Sequence, residues 1–335
     1  VTAAVSGWKQ IRKATPTGES AFAYAGLYNF GIQLPAQVNS AANPNIADPR
    51  VPQGNGYGSF TVAAAGTLTM AGRTPDGETL TGGTFVGPTG QLLFFQTLYA
   101  TARRGSIHGL LQLGTGAPSS LADTTDNTLV SARLDWVRPA NPAAVSATTS
   151  TRTYRAGFGL SGTPVVTPVE LEAFGGRYVA PPTLLKISGP PAATPIPTTA
   201  NAEVVLTQGG IAANFPTGAG ASFNPDLDVA VTATNTIVVV GSNPAKTAIT
   251  PARTTGVISG RFSLSDANAR TVAPLTPNPI LRAVSFQGLI VPNNVANTHE
   301  GVGYFMLPQL PTADNATLVT TTPILSGKMI FKKLP

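Results

Sequence analysis

The sequence predicts an all-β protein: two similar halves of antiparallel strands, each forming a barrel or sandwich, behind an N-terminal arm. Three observations predict it. Apolar residues alternate with polar ones in short runs bounded by Gly, Pro and Asn, the pattern of half-buried strands. No stretch of ten residues carries a clear helical period. A frame also recurs. Gly105-x-Ile107-x-Gly109-x-x-x-Leu113 returns 151 positions later as Gly256-x-Ile258-x-Gly260-x-x-x-Leu264, which predicts that the two runs occupy equivalent strands. Strands at such regular spacing argue for sandwiches or barrels.

Residues 1–20 read as an arm. Val5, Trp8 and Ile11 are its apolar residues, set among Lys9, Arg12 and Lys13. A polar terminus is ordered only where something ties it down, so these three are the expected anchors to another subunit. The first half, 21–150, has strand candidates at 24–34, 59–63, 67–71, 78–86, 92–99, 106–113 and 129–138. Asp76-Gly77 marks a turn between two of them, since Asp-Gly tolerates positive φ. Pro139 to Thr151 is rich in Pro, Ala, Ser and Thr and reads as the connector between halves. The second half, 151–335, has candidates at 165–173, 177–180, 203–207, 228–234, 236–241, 256–264, 281–291, 301–307 and 325–332. The stretch 181–199 holds Pro181, Pro182, Pro190, Pro191, Pro195 and Pro197 and must be an extended loop.

Composition narrows the function. Charged residues are 11% of 335, against roughly 25% in an average soluble domain. The resulting surface is neutral and hydrogen-bonding, as suits a coat, a surface layer or a secreted fibre. The net charge of +6 is scattered, with only Arg12-Lys13, Arg103-Arg104 and Lys332-Lys333 adjacent. Nucleic acid would want a clustered basic footprint, and none is expected as a partner. There is no cysteine, so neither disulfides nor thiolate metal sites form. No apolar run reaches the roughly 20 residues of a membrane helix. The chain begins at Val1, which fits removal of a signal or pro-segment and an extracellular or cell-surface location.

Candidate chemistry is sparse. His108 lies inside a strand frame, and His299 precedes Glu300 in an Asn-rich loop. Neither has the partners a triad needs, and no Gly-x-Ser-x-Gly elbow exists. Trp136 beside Asp135 could form a sugar platform; the plainer account is a core Trp with Asp135 on the wet face. Glu170 and Glu172 share one face of a strand. Two oxygen-rich loops, Asp123/Asp126 and Asp226/Asp228, could hold calcium, but neither has EF-hand spacing. The expectation is no enzyme, no catalytic residue, no cofactor and no metal.

One further set of residues is informative: Gly56-Tyr57-Gly58, Asp76-Gly77-Glu-Thr79, Leu98-Tyr99, Leu134-Asp-Trp136, Gly176-Arg-Tyr178 and Gly303-Tyr304-Phe305. In this order they resemble a β-rich domain of large secreted or cell-surface proteins of Verrucomicrobia and Planctomycetes, over about residues 24–331. The resemblance implies a bacterial extracellular setting and a structural or adhesive role, with no catalytic residue to carry over. The functional expectation is therefore a structural subunit of an extracellular filament or surface layer. It would bind copies of itself through its arm and exposed strand edges. The alternatives are a viral coat protein, or an adhesin module that binds a surface polysaccharide.

Overall fold

The computed structural model describes residues 7–10, 21–35, 48, 50–99, 105–114, 129–130, 133–146, 148–159, 168–181, 187, 198–211, 225–266, 279–293, 298–311 and 320–334. It is all-β, as the alternation predicts. Helix among the described residues is confined to a 3-10 turn, Ala21–Tyr24, and the four-residue α1, Thr149–Arg152.

The first sheet comprises β1 (Gly26–Gln33), β2 (Gly56–Val62), β3 (Thr67–Arg73), β4 (Thr79–Phe85), β5 (Gln91–Leu98), β6 (Gly105–Leu113), the short β7 (Leu129–Val130), β8 (Arg133–Val137) and β9 (Val169–Arg177). Its neighbours run β4-β3-β2-β1-β9-β8-β6-β5, with β7 beside β6. A bridge between Val86 and Leu92 joins the two ends. The second sheet comprises β10 (Ala202–Gln208), β11 (Leu227–Val231), β12 (Ile237–Val239), β13 (Ala248–Pro251), β14 (Val257–Asp266), β15 (Ile280–Asn293), β16 (Thr298–Pro308) and β17 (Ile324–Lys333), in the order β12-β11-β10-β17-β16-β15-β14-β13. Each sheet is an up-and-down meander, nearly closed into a barrel, and the halves are similar.

Two expectations need correction. The Pro-rich stretch after Val137 does not separate the halves, because β9 follows it and pairs antiparallel with β1 and β8. The reason is parity. Seven meandering strands would leave the first and last parallel, and an eighth is required for antiparallel closure. The first barrel therefore runs to Arg177. The Gly-x-Ile-x-Gly frame does not mark equivalent strands either, since β6 is sixth in its barrel and β14 is fifth. Neighbouring strands of a meander run in opposite directions, so those runs cannot superpose. Their glycines answer local crowding. A Cβ on Gly109 would lie 2.2 Å from the Arg133 carbonyl, and one on Gly260 would lie 2.0 Å from the Phe286 ring.

The internal likeness lies in the turns. Between β2 and β3, Ala63 N–H donates to Thr67 O and Gly66 N–H to Ala63 O. Between β11 and β12, Thr232 and Asn235 make the same two bonds, to Thr236 O and Thr232 O. Gly66 (φ 80°) and Asn235 (φ 64°) both take the left-handed conformation. The next turns correspond as well: Gly77 N–H donates to Thr74 O, and Lys246 N–H to Asn243 O.

Inside, the barrels are solid. Tyr28, Phe30, Phe60, Phe94 and Trp136 fill the first, and Phe262, Phe286, Phe305 and Phe331 fill the second. Polar side chains alternate outward on β3, β4 and β14. A transmembrane barrel has the reverse pattern, apolar outside and polar within. Among the described residues no helix is long and apolar enough to cross a membrane.

Candidate interaction surface

Filled barrels leave the outer faces and the junction between them as the working surfaces. The junction is polar and tightly made. Asn29, fully buried on β1, donates through Nδ2 to Thr255 O at 3.0 Å and Ile290 O at 2.8 Å of the second barrel. Gly31, two residues on, has no side chain because a Cβ would lie 2.9 Å from Val302 Cγ2 and closer still to Phe174. Asn55 N–H donates to Gly303 O at 3.1 Å. Ser326 on β17 donates to Pro75 O and receives Gly54 N–H at 3.2 Å, while its own N–H donates to Tyr154 Oη at 2.7 Å.

Pro75 leads into a buried charge cluster. The Asp76 carboxylate accepts from Thr74 Oγ1, from Arg138 Nη1 and from Tyr99 Oη at 3.0 Å. Arg138 also donates through Nη2 to Thr153 O at 2.8 Å and Thr153 Oγ1 at 3.1 Å. Its guanidinium lies 4.8 Å from the Tyr99 ring centre and 6.0 Å from that of Tyr154. Both tyrosines have positive φ, 67° and 40°. That is an outlier conformation for a bulky residue, and the surrounding bonds hold it in place. Burial pushes the Tyr99 hydroxyl well above its ordinary pKa, with Asp76 adding to the rise. Asp76 and Arg138 are saturated by one another and by these neighbours, so the cluster braces one barrel end and offers no open position to a substrate. Sequence reading placed Asp76 only in a turn. No local signal linked it to Arg138, 62 residues away.

A groove of about 320 Å³ runs between the barrels, lined by Tyr57, Ser59, Arg73, Thr79 and Thr81 of the first and by Val257 and Leu289 of the second. Tyr57 stacks on Tyr304, with ring centres 6.1 Å apart, and donates to Gln287 Oε1 at 3.2 Å. Burial raises both hydroxyls, that of Tyr304 to about 12.

The outer face of β5 and β6 is different in kind. Leu93 stands opposite Leu110, and Phe95 opposite His108. Leu93, Phe95 and Leu110 are about half exposed, Phe95 the most at 60%. His108 is flanked on its other side by Asp135 of β8, which pairs in turn with Glu170 of β9. Arg133 lies 3.6 Å from Asp135 and 3.2 Å from Glu170. Glu172 shares the face of Glu170.

The remaining candidates sort plainly. Trp136 is buried in the first barrel, edge-on to Phe158 at 4.5 Å, with Asp135 outside; the two do not form a sugar platform. His299, expected at a solvated loop tip, is buried instead on β16 opposite Pro292, with its ring 5.6 Å from that of Tyr178. The strand runs further toward its start than the Asn-rich composition suggested. Beside it, burial raises the Glu300 carboxyl, and Lys328 and Lys332 counteract the rise. Asp226 accepts Leu206 N–H at 2.7 Å, doing the work of a ladder partner just before β11 begins. Asp228 is exposed on β11, and Asp123 and Asp126 lie outside the described residues. Among the described residues no three His, Asp or Glu side chains are grouped to hold a metal. Of the arm anchors, Val5 and Ile11 lie outside the described residues. Trp8 packs on its own barrel, where a Cβ on Gly87 would lie 2.4 Å from its Cδ1. Gln10 Nε2 donates to Ala65 O at 3.4 Å.

Compared with family models, with curated proteins and with solved structures, the chain gives no match.

Proposed function

We propose that this chain is a self-associating structural subunit of an extracellular assembly, a filament or a surface layer. One observation carries the reading. Large apolar side chains, Leu93, Phe95 and Leu110, stand together on an outer face while both barrel interiors are already full. A contiguous apolar patch on an outer sheet face marks a contact with another macromolecule. The low charge of the chain and its likeness to β-rich bacterial surface domains support the same setting. A second contact route is strand addition by residues 1–20 of a neighbour at β12 and β13, the two ends of the second sheet's order. Such edges offer unpaired main-chain groups. Trp8 is taken up by its own barrel, so Val5 and Ile11 are the anchors for that route. Sedimentation velocity and electron microscopy over a range of concentrations test the proposal. Ordered polymers are expected, and a monomer at every concentration overturns it.

A second reading, a carbohydrate-binding adhesin module, is favoured by the groove at Tyr57, where a ring, Arg73 and three hydroxyl side chains converge. Binding of a surface polysaccharide that is lost in Tyr57→Ala is the result that reading requires.

A further inference from the structure

The groove between the barrels holds one charge, and that charge is unanswered. Of the described residues that line it, only Arg73 is charged. Its Nη1 donates to Gly77 O at 3.3 Å and to Thr79 Oγ1 at 2.5 Å, which holds the guanidinium in place. Among the described residues no carboxylate forms an ion pair with it. Asp76, in the turn that follows β3, is taken up by Arg138 instead. The Nε and Nη2 edge of Arg73 is therefore open. Such an edge offers two parallel N–H donors, the geometry that fits a planar carboxylate.

The surroundings of Arg73 suit a sugar chain. Tyr57, Arg73 and Thr79 stand in one rank across β2, β3 and β4, and Ser59, Ala71 and Thr81 stand in the next. Neighbouring strands lie about 4.8 Å apart and alternate residues about 7 Å apart, the scale of one pyranose unit. The Ser59 and Thr81 hydroxyls point outward, since their strand neighbours Phe60 and Leu80 fill the core. Across the groove Val257 of the second barrel, about half exposed, supplies an apolar wall for the C–H face of a sugar ring. A nucleic acid would need a row of cations, and the groove has one. An added peptide strand would need an open main-chain edge, whereas β2 and β3 are both paired on either side.

We infer that this groove binds a polysaccharide bearing carboxylates, a uronic-acid polymer in class. Arg73 takes one carboxylate side-on, and the hydroxyls of Ser59, Thr79 and Thr81 bond those of the sugar. The inference rests on the carbohydrate reading of the groove given above and names the class of ligand within it.

Isothermal titration calorimetry of the full chain tests it, with polygalacturonate, alginate and hyaluronate as probes, each beside its methyl ester. Acid and ester share a backbone, so the comparison isolates the carboxylate. The wild type should bind at least one acid about tenfold or more tightly than its ester, the contribution of one charge-assisted hydrogen-bonded pair. Arg73→Gln should bind that acid and its ester alike. Lys333→Gln, which removes an exposed cation outside the groove, should behave as the wild type does. Should Arg73→Gln fail to fold by circular dichroism, Arg73→Lys serves in its place; it keeps the charge without the fork and should lose most of the preference. Equal binding of acids and esters by the wild type would overturn the carboxylate inference and leave the carbohydrate reading standing. A loss in Lys333→Gln as large as that in Arg73→Gln would overturn it too, since net charge rather than the groove would then attract the polymer. Failure of the wild type to bind any acid, any ester or a neutral glucan would overturn both.

Discussion

Gly77 and Lys246 occupy the same place in the two barrels. Each takes the left-handed conformation, φ 86° and 52°, four residues into a turn whose first residue, Thr74 or Asn243, accepts its N–H. The first residue's side chain completes each turn: Thr74 Oγ1 accepts Glu78 N–H at 2.9 Å and Asn243 Oδ1 accepts Thr247 N–H at 2.8 Å. Gly66 and Asn235 correspond in the preceding turns. The separation from Gly66 to Gly77 equals that from Asn235 to Lys246, so one register relates both pairs. A non-glycine residue in this conformation carries a steric cost that glycine avoids. Lys246→Gly should therefore stabilise the protein by about 0.5–1 kcal/mol after allowing for glycine's greater freedom when unfolded. Gly77→Ala should destabilise it, because the added Cβ lies 3.2 Å from Tyr304 Oη as well. Thermal melts of the two variants check both signs.

The Asp76–Arg138 pair yields a larger effect. Asp76 is completely buried and Arg138 nearly so. Removing one partner leaves an uncompensated buried charge, which costs about 3–5 kcal/mol. Asp76→Ala should lower stability by that order in denaturant unfolding. Asp76→Leu combined with Arg138→Met should cost less than the single substitution, since no lone charge remains. A double variant no better than Asp76→Ala would mean that the hydrogen bonds to Thr74, Tyr99 and Thr153, rather than the charges, dominate the cluster.

Strand-level order was readable from the sequence because it is local. The alternation around Phe94, Ile107 and Phe286 puts them in the core, where the structure has them. Ala248–Pro251, four residues with a single inward apolar side chain, Ile249, gave no such signal; the strand exists because β14 provides a ladder. Closure was not legible either. Nothing in Val169–Arg177 says that it returns past the Pro-rich stretch to pair with β1, since that follows from the parity of the whole barrel. The glycine frame misled for a physical reason: close strand packing demands glycine at many places, so shared glycines report crowding and not descent. Turn geometry, with its fixed left-handed residues, was the better marker. The candidate surface was legible in part. His108, inside a recognisable strand frame, faces solvent, but Phe95 and Leu110 in apolar runs gave no hint that they face outward until strand register fixed their side.

The barrel junction should be separable. Gly31 leaves no room for a side chain between Phe174 and Val302, and Asn29 supplies two of the hydrogen bonds across the seam. Gly31→Val should force the faces apart, and Asn29→Ala would leave two carbonyls without their donor, a cost of about 1–3 kcal/mol. Each barrel keeps its own core, so the expected outcome in calorimetry is a single melting transition in the wild type that splits in two in the Gly31→Val variant. A single transition in that variant, shifted downward, would mean that neither barrel is stable without the other.

Alkaline pH should unfold this protein abruptly. The chain has seven tyrosines, and every one lies above its ordinary pKa with burial as the leading cause. Tyr178 and Tyr304 rise to about 12. A group whose folded pKa is raised contributes stability that is fully present below its unfolded pKa and is lost as pH rises through the folded value. The unfolded value is about 10 for tyrosine, so the window runs from there toward 12 and beyond. In a pH titration the phenolate absorbance should stay flat past the point where free tyrosine ionises. It should then rise in one step that coincides with loss of the β-sheet circular dichroism signal. The coincidence follows because ionisation drives unfolding and unfolding releases the remaining hydroxyls to ionise at their ordinary value. A gradual rise centred on the ordinary value, with the sheet signal intact, would show that these hydroxyls reach solvent, contrary to the packing of Tyr99 and Tyr154 around Arg138.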